Sequence, residues 1–204
     1  MDVVHDPGRL IAFVTFSAVV AATPGPSNLL LAAAGARVGI RRGLASALGQ
    51  VTGMGAMLLA ISLGLGGVLL AHPLALQVLR WGGAAMLGWM AWRIAVSGHA
   101  GQATKAPAGF LGMAAFQWVN PKGWLVGVAA SAAFLDPRAG SALAQAAIFA
   151  TVFTLVAIPS CLPWLAFGAA LQRLVRRQRA QRVVNGAMAA LLAASTILLV
   201  WTRF

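Results

Sequence analysis

Charge is scarce in this chain and negative charge almost missing: 9% of its 204 residues are charged, and only three are acidic. Soluble domains carry about 25% charged and roughly 45–50% apolar residues, whereas this chain is 60% hydrophobic, with a mean hydropathy of +0.85. A soluble domain of this size would lack the polar surface that keeps it in water. Disorder, a coiled coil and a disulfide scaffold are excluded by the same numbers. A single cysteine, Cys161, rules out an internal disulfide and a two-cysteine redox centre, and with them a membrane thiol–disulfide carrier. Set between Pro159 and Pro163 in an apolar stretch, it reads as a buried small hydrophobe. His5, His72 and His99 form no pair at ligand spacing on an apolar run, so neither a metal site nor a cofactor is expected. No nucleophile–base set appears either, which argues against an enzyme and leaves no catalytic residue to assign. The net charge of +12 sits at the ends of apolar runs without a nucleic-acid-reading motif, so the basic residues read as topology signals rather than a nucleic-acid surface.

What is there is apolar length. Runs of about 20 residues fall at Leu10–Ala34, Leu44–Leu70, Leu76–Val96, Phe110–Leu135, Leu143–Leu171 and Val183–Trp201. They predict an all-α fold: a polytopic membrane helix bundle of about six spans, one transporter domain over 1–204, with the lipid bilayer as its surroundings. Arg173, Arg176, Arg177, Arg179 and Arg182 are too many charges to leave in lipid and part the last two spans. The first run is no signal peptide by its flank, since Asp2, Asp6 and Arg9 give no positive excess. Arg37, Arg41 and Arg42, then Arg93 and Lys105, then the five arginines lie on one side. Arg9, Arg138, Arg203 and the acids Asp2, Asp6 and Asp136 lie on the other. The positive-inside bias therefore places both termini outside the cytoplasm. Trp81, Trp164 and Trp201 lie near span ends, where an amphipathic ring suits the headgroup region. Gly49 and Gly53, four apart, predict a close helix–helix approach; Gly64, Gly66 and Gly67 follow on the same span.

The informative residues are those at which helices fail. Thr23-Pro24-Gly25-Pro26-Ser27-Asn28 interrupts the first span, where prolines free carbonyls four residues back and glycine removes the last local helical preference. Gln117-Trp118-Val119-Asn120-Pro121-Lys122 interrupts the fourth. These are the first spans of two three-span halves, approximately 10–96 and 110–201, and an odd number of spans per half makes the second copy inverted. Interrupted helices at corresponding places of inverted repeats point to a transporter's binding site near the midplane. A proline kink without function is the alternative for either break alone. The candidate substrate-binding set is Thr23, Pro24, Gly25, Pro26, Asn28, Gln117, Asn120, Pro121 and Lys122.

Lys122 lies about 18 Å along its span from Phe110 at ~1.5 Å per residue, near the middle of a hydrocarbon core about 30 Å thick. A cation there costs about 2.5–3.5 kcal/mol on insertion scales, and no acidic residue shares its depth. Backbone carbonyls, as structural glue, or the carboxylate of a solute are its candidate partners. A zwitterionic amino acid fits: Lys122 and exposed amides for its carboxylate, freed carbonyls and the amide oxygens of Asn28 and Asn120 for its ammonium. With no deep acid, a strongly cationic solute does not fit.

In these two motifs, and in length and span number over nearly the whole chain, the sequence resembles the amino-acid exporter family that includes the lysine exporters and the homoserine/threonine efflux proteins. The resemblance implies secondary export of amino acids or close derivatives from the cytoplasm across a bacterial plasma membrane, driven by exchange for protons. Family members often follow the second motif with a Phe-Leu-Pro-Gln-like end; here Phe134-Leu135-Asp136-Pro137 stands instead. Asp136 is then either an external proton acceptor or a turn residue before Pro137. The other readings are a passive channel, which would carry rings of charge or a filter loop, and an exporter of another small solute such as a metal ion. Whether the chain forms a homo-oligomer stays open.

Overall fold

Asp6 starts the first helix. Its carboxylate accepts from the backbone amides of Gly8 and Arg9 at 2.9 and 3.3 Å, and Pro7 takes the first helical position, where a missing amide proton costs nothing. Helix α1 (Pro7–Ala22) ends where Thr23 turns extended before Pro24. The computed structural model describes residues 6–96, 109–136, 141–174 and 178–201. Among them all regular structure is helical: α2 (Pro26–Ala60), a π-helical turn (Ile61–Leu65), α3 (Gly66–Ala71), α4 (Pro73–Val96), α5 (Gly109–Val119), α6 (Pro121–Phe134), α7 (Ala142–Leu174) and α8 (Gln178–Trp201). Asp2, His5, His99, Lys105, Pro137, Arg138, Arg176, Arg177 and Arg203, used above for topology, coupling or metal binding, lie outside the described residues.

Two stretches, Pro26–Ala71 and Ala142–Arg173, are long and apolar enough to cross a membrane. At 1.5 Å per residue the first would measure about 69 Å, more than twice a hydrocarbon core. It does not run straight. Gly39 adopts φ +75°, ψ 177°, a conformation open to glycine at little cost, and the chain reverses there. The neighbours show this: a Cβ at Gly35 would strike the carbonyl of Leu165, and one at Gly43 would strike that residue's side chain. Two positions eight apart thus flank the same leucine. A second glycine with positive φ, Gly64 at +121°, sits in the π-helical turn.

Glycine also sets how closely the helices cross. Gly168 of α7 lies against the carbonyl of Ala32 with no room for a Cβ, and Gly49 of α2 lies likewise against that of Phe110. A Cβ on Gly53 would approach Ala114 Cα to 2.6 Å. The expected close approach of Gly49 and Gly53 is therefore the α2–α5 crossing. Around α2 pack α5 and α7; α1 lies on α7, and α4 pairs with α8. Phe13, Phe134 and Phe149 meet edge to face, with Phe13 centroids 5.1 and 4.5 Å from the other two, and join α1, α6 and α7. A second apolar cluster, including Leu29, Leu87, Met113 and Leu192, ties α2 to α4, α5 and α8. Leu74, Leu111 and Trp201 are about four-fifths exposed, as suits side chains whose solvent is lipid.

Trp164 is placed differently from an end-of-span anchor. It stands well inside α7, and its Nε1 donates to the carbonyl of Ala22 at 3.0 Å, sealing the end of α1. Asp136 is a joint: its amide donates to Gln145 Oε1 at 3.1 Å and its carbonyl accepts from Gln145 Nε2 at 2.9 Å, fastening the end of α6 to the start of α7.

Candidate functional site

At both interruptions the prolines begin new helices instead of bending old ones. Pro26 and Pro121 each occupy the first turn of the following helix, so neither breaks a hydrogen bond that the helix would otherwise have made. Asn120 caps α6, its Oδ1 accepting from the amide of Lys122 at 3.2 Å. The N-cap residue of α2, Gly25, offers no side-chain cap. The carbonyl of Gln117, expected to be freed by Pro121, accepts from the amide of Asn120 at 3.1 Å.

The freed carbonyls of the first break are shared out among side chains. Asn28 Nδ2 donates to the carbonyls of Ala21 and Thr23 at 2.7 and 2.9 Å. These two bonds fix the orientation of the Asn28 amide, because only its NH2 end can donate to carbonyls. Its Oδ1 is therefore an acceptor, and Gln50 Nε2 donates to it at 2.9 Å.

The two breaks, about a hundred residues apart in sequence, face each other. Ser27 Oγ donates to Gln117 Oε1 at 3.1 Å and accepts from Asn120 Nδ2 at 2.9 Å. Gln117 Nε2 donates back to the carbonyl of Met113 at 3.2 Å. Lys122 reaches from the start of α6 into the other break, its Nζ 3.4 Å from the carbonyls of both Thr23 and Pro24. Those are long contacts for an ammonium, which prefers 2.7–2.9 Å. The Lys122 side chain also lies over Gly25, where a Cβ would come within 3.0 Å of Nζ and 3.1 Å of Cδ.

Between the breaks is a cavity with about 60 Å³ open to water centres, several times the 10–15 Å³ that one water requires. Of the expected residues, Thr23, Gly25, Asn28, Gln117, Asn120 and Lys122 line it. Pro24, Pro26 and Pro121 shape the breaks and do not line it. Ser27, Gln50 and Cys161 line it as well and are absent from the expected set. Ser27 was in plain view inside the first motif. Gln50 had one signal, an amide alone in an apolar span, between Gly49 and Val51. Cys161 is fully buried, as expected, with Sγ 3.4 Å from the carbonyl of Ile158. No carboxylate is among the described lining residues, so the cavity presents one cation, six amide or hydroxyl side chains, and an apolar wall that includes Val51, Met54 and Phe153.

An apolar helical bundle that encloses a polar cavity between two interrupted helices is a membrane transporter in its architecture. Comparison with known proteins specifies which kind. The chain belongs to the LysE type translocator family of amino-acid exporters, whose family model matches residues 18–202. It is 31% identical over 173 residues to the cysteine/O-acetylserine efflux proteins of Escherichia coli strain K12 and of Shigella sonnei strain Ss046, covering 84% of this chain and 88% of each of those. A counterpart from Escherichia coli O1:K1 is 32% identical over 174 residues with the same coverage. No solved structure matches the chain.

Proposed function

We propose that this protein exports small neutral amino acids or close derivatives across the bacterial plasma membrane, by alternating access around the cavity between the two helix breaks. The observation that carries the reading is Lys122, a cation held by long contacts to the carbonyls of the opposite break and lining the cavity beside them. The substrate's carboxylate would replace those weak contacts, aided by the uncapped N-terminus of α2, whose dipole favours an anion. The names of the efflux proteins above support a small polar substrate, and the lack of a lining carboxylate disfavours a second positive charge on it.

In this reading the chain crosses the membrane six times with both termini outside, reversing at Gly39 on the cytoplasmic side. The helix partnerships support two inverted repeats: exchanging the halves turns the α4–α8 pair into itself, and the packing of α5 on α2 into that of α1 on α7. Transport is coupled to proton exchange. The backbone ties of Asp136 to Gln145 support its role as a turn residue.

Cells expressing the chain and loaded with a broad dipeptide mixture are expected to release one or a few neutral amino acids faster than cells expressing Lys122→Ala at matched membrane level. Loss of a charge-assisted contact of about 1.5–3 kcal/mol predicts a roughly 10–100-fold reduction. Identical release profiles for the two would overturn the proposal.

A further inference from the structure

Gln50 stands on α2, eleven residues beyond the reversal at Gly39, and is 8% exposed. Its Nε2 is committed to Asn28 Oδ1, and the orientation is imposed by chemistry rather than chosen, because the Asn28 amide is already locked by the carbonyls of Ala21 and Thr23. The other end of the Gln50 amide, Oε1, therefore must be an acceptor, and it has no hydrogen-bond partner among the described residues. A buried acceptor without a donor is costly and rare in folded proteins, and one at the wall of a cavity asks for a donor that arrives from outside the chain. The other polar side chains lining the cavity are engaged elsewhere: Ser27 with Asn120 and Gln117, Gln117 also with the Met113 carbonyl, Thr23 Oγ1 with the Val19 carbonyl, and Lys122 Nζ with the carbonyls of Thr23 and Pro24.

We infer that Gln50 Oε1 accepts a hydrogen bond from the substrate's α-ammonium, so that Gln50 and Lys122 read the two ends of a zwitterion and determine specificity for it. This inference rests on the exporter reading. An ammonium is a donor without acceptor capacity, which matches a site whose free group is an acceptor fixed in place. A neutral amide also suits a zwitterion better than a carboxylate would, because it adds no charge that a second cation on the substrate could exploit. The oxygen shows less than 1 Å² of surface in this state. It meets the substrate after the lining side chains shift, as a site that alternates its access requires.

The test uses the full-length protein in liposomes preloaded with O-acetyl-L-serine or with 3-acetoxypropanoate, the same skeleton with a hydrogen in place of the ammonium. The native protein is expected to move the ammonium-bearing compound roughly tenfold or more faster, since a site built around a donor rejects the analogue that lacks it. Gln50→Met, whose thioether is only a weak acceptor, is expected to shrink that ratio to within about threefold. Gln50→Glu keeps the size and the acceptor and, ionised, adds a negative charge that favours the ammonium, so it is expected to enlarge the ratio. Both readouts are ratios within one preparation, so a smaller amount of folded variant does not move them. Variants that slow both compounds equally would overturn the role of Gln50 and leave the exporter intact. A native protein that moves neither compound, nor any amino acid of the dipeptide panel, would overturn the exporter reading and the role of Gln50 together.

Discussion

Asn28 concentrates more structural duty than any other side chain at the first break, because two backbone carbonyls and one amide depend on it. Asn28→Ala removes the side-chain partner of the Ala21 carbonyl and of Gln50 Nε2, and a buried polar group left unsatisfied costs about 1–3 kcal/mol. Lower thermal stability of the purified protein in detergent is the expected result, and an unchanged unfolding temperature would contradict it. Gly25 works differently. Its backbone is extended, a conformation any residue adopts, so Gly25→Ala is expected to fold normally. The new methyl would press on Lys122 at 3.0–3.1 Å and displace the ammonium. Export is expected to fall several-fold while stability holds, and equal losses in both would show that Gly25 matters for folding instead. The sequence exposed Asn28 and Lys122 because polar residues inside apolar runs are conspicuous. It did not show that the Asn28 oxygen is already taken by Gln50, since that pairing spans 22 residues and a chain reversal.

Among helices, the glycines separate into those that touch and those that do not. Gly168 meets the Ala32 backbone, whereas Gly67 has nothing within 4 Å of where its Cβ would stand. Gly168→Ala must push α2 and α7 apart, and overpacking of this kind costs typically 1–3 kcal/mol. Gly67→Ala is expected to be neutral or slightly stabilising. Expression and thermal stability of the two variants side by side check this, and equal behaviour would contradict the crossing. Gly39→Ala has the space but not the backbone: at φ +75°, ψ 177° a residue with a Cβ costs about 1–3 kcal/mol, so this variant is expected to be destabilised without any clash. Both helix breaks were legible, because proline and glycine act through local sterics that need no tertiary knowledge. That the prolines open new helices, and that Trp164 caps the first broken end from another helix, required the packed structure.

The whole molecule carries the orientation prediction. With the termini outside, the turn at His72 faces out and that at Arg41 faces the cytoplasm; both residues are exposed. His72→Cys is expected to react with a membrane-impermeant maleimide in intact cells, and Arg41→Cys only after permeabilisation. The native Cys161 is fully buried and is expected to give little background. The reverse labelling pattern would invert the topology.

Sequence alone determined the solvent of this protein, the places where its helices break and the single cation between them, because hydrophobic length, proline sterics and the cost of buried charge are all local properties. The tertiary structure decided which of the exposed polar groups are consumed by the fold and which are left over. Ser27, Asn28, Gln117 and Asn120 satisfy one another or the freed backbone, and Gln50 Oε1 is left without a donor among the described residues. Hydrogen-bond satisfaction depends on which groups meet in space, and only the folding of α2 back on itself brings Gln50 to the break that Asn28 closes.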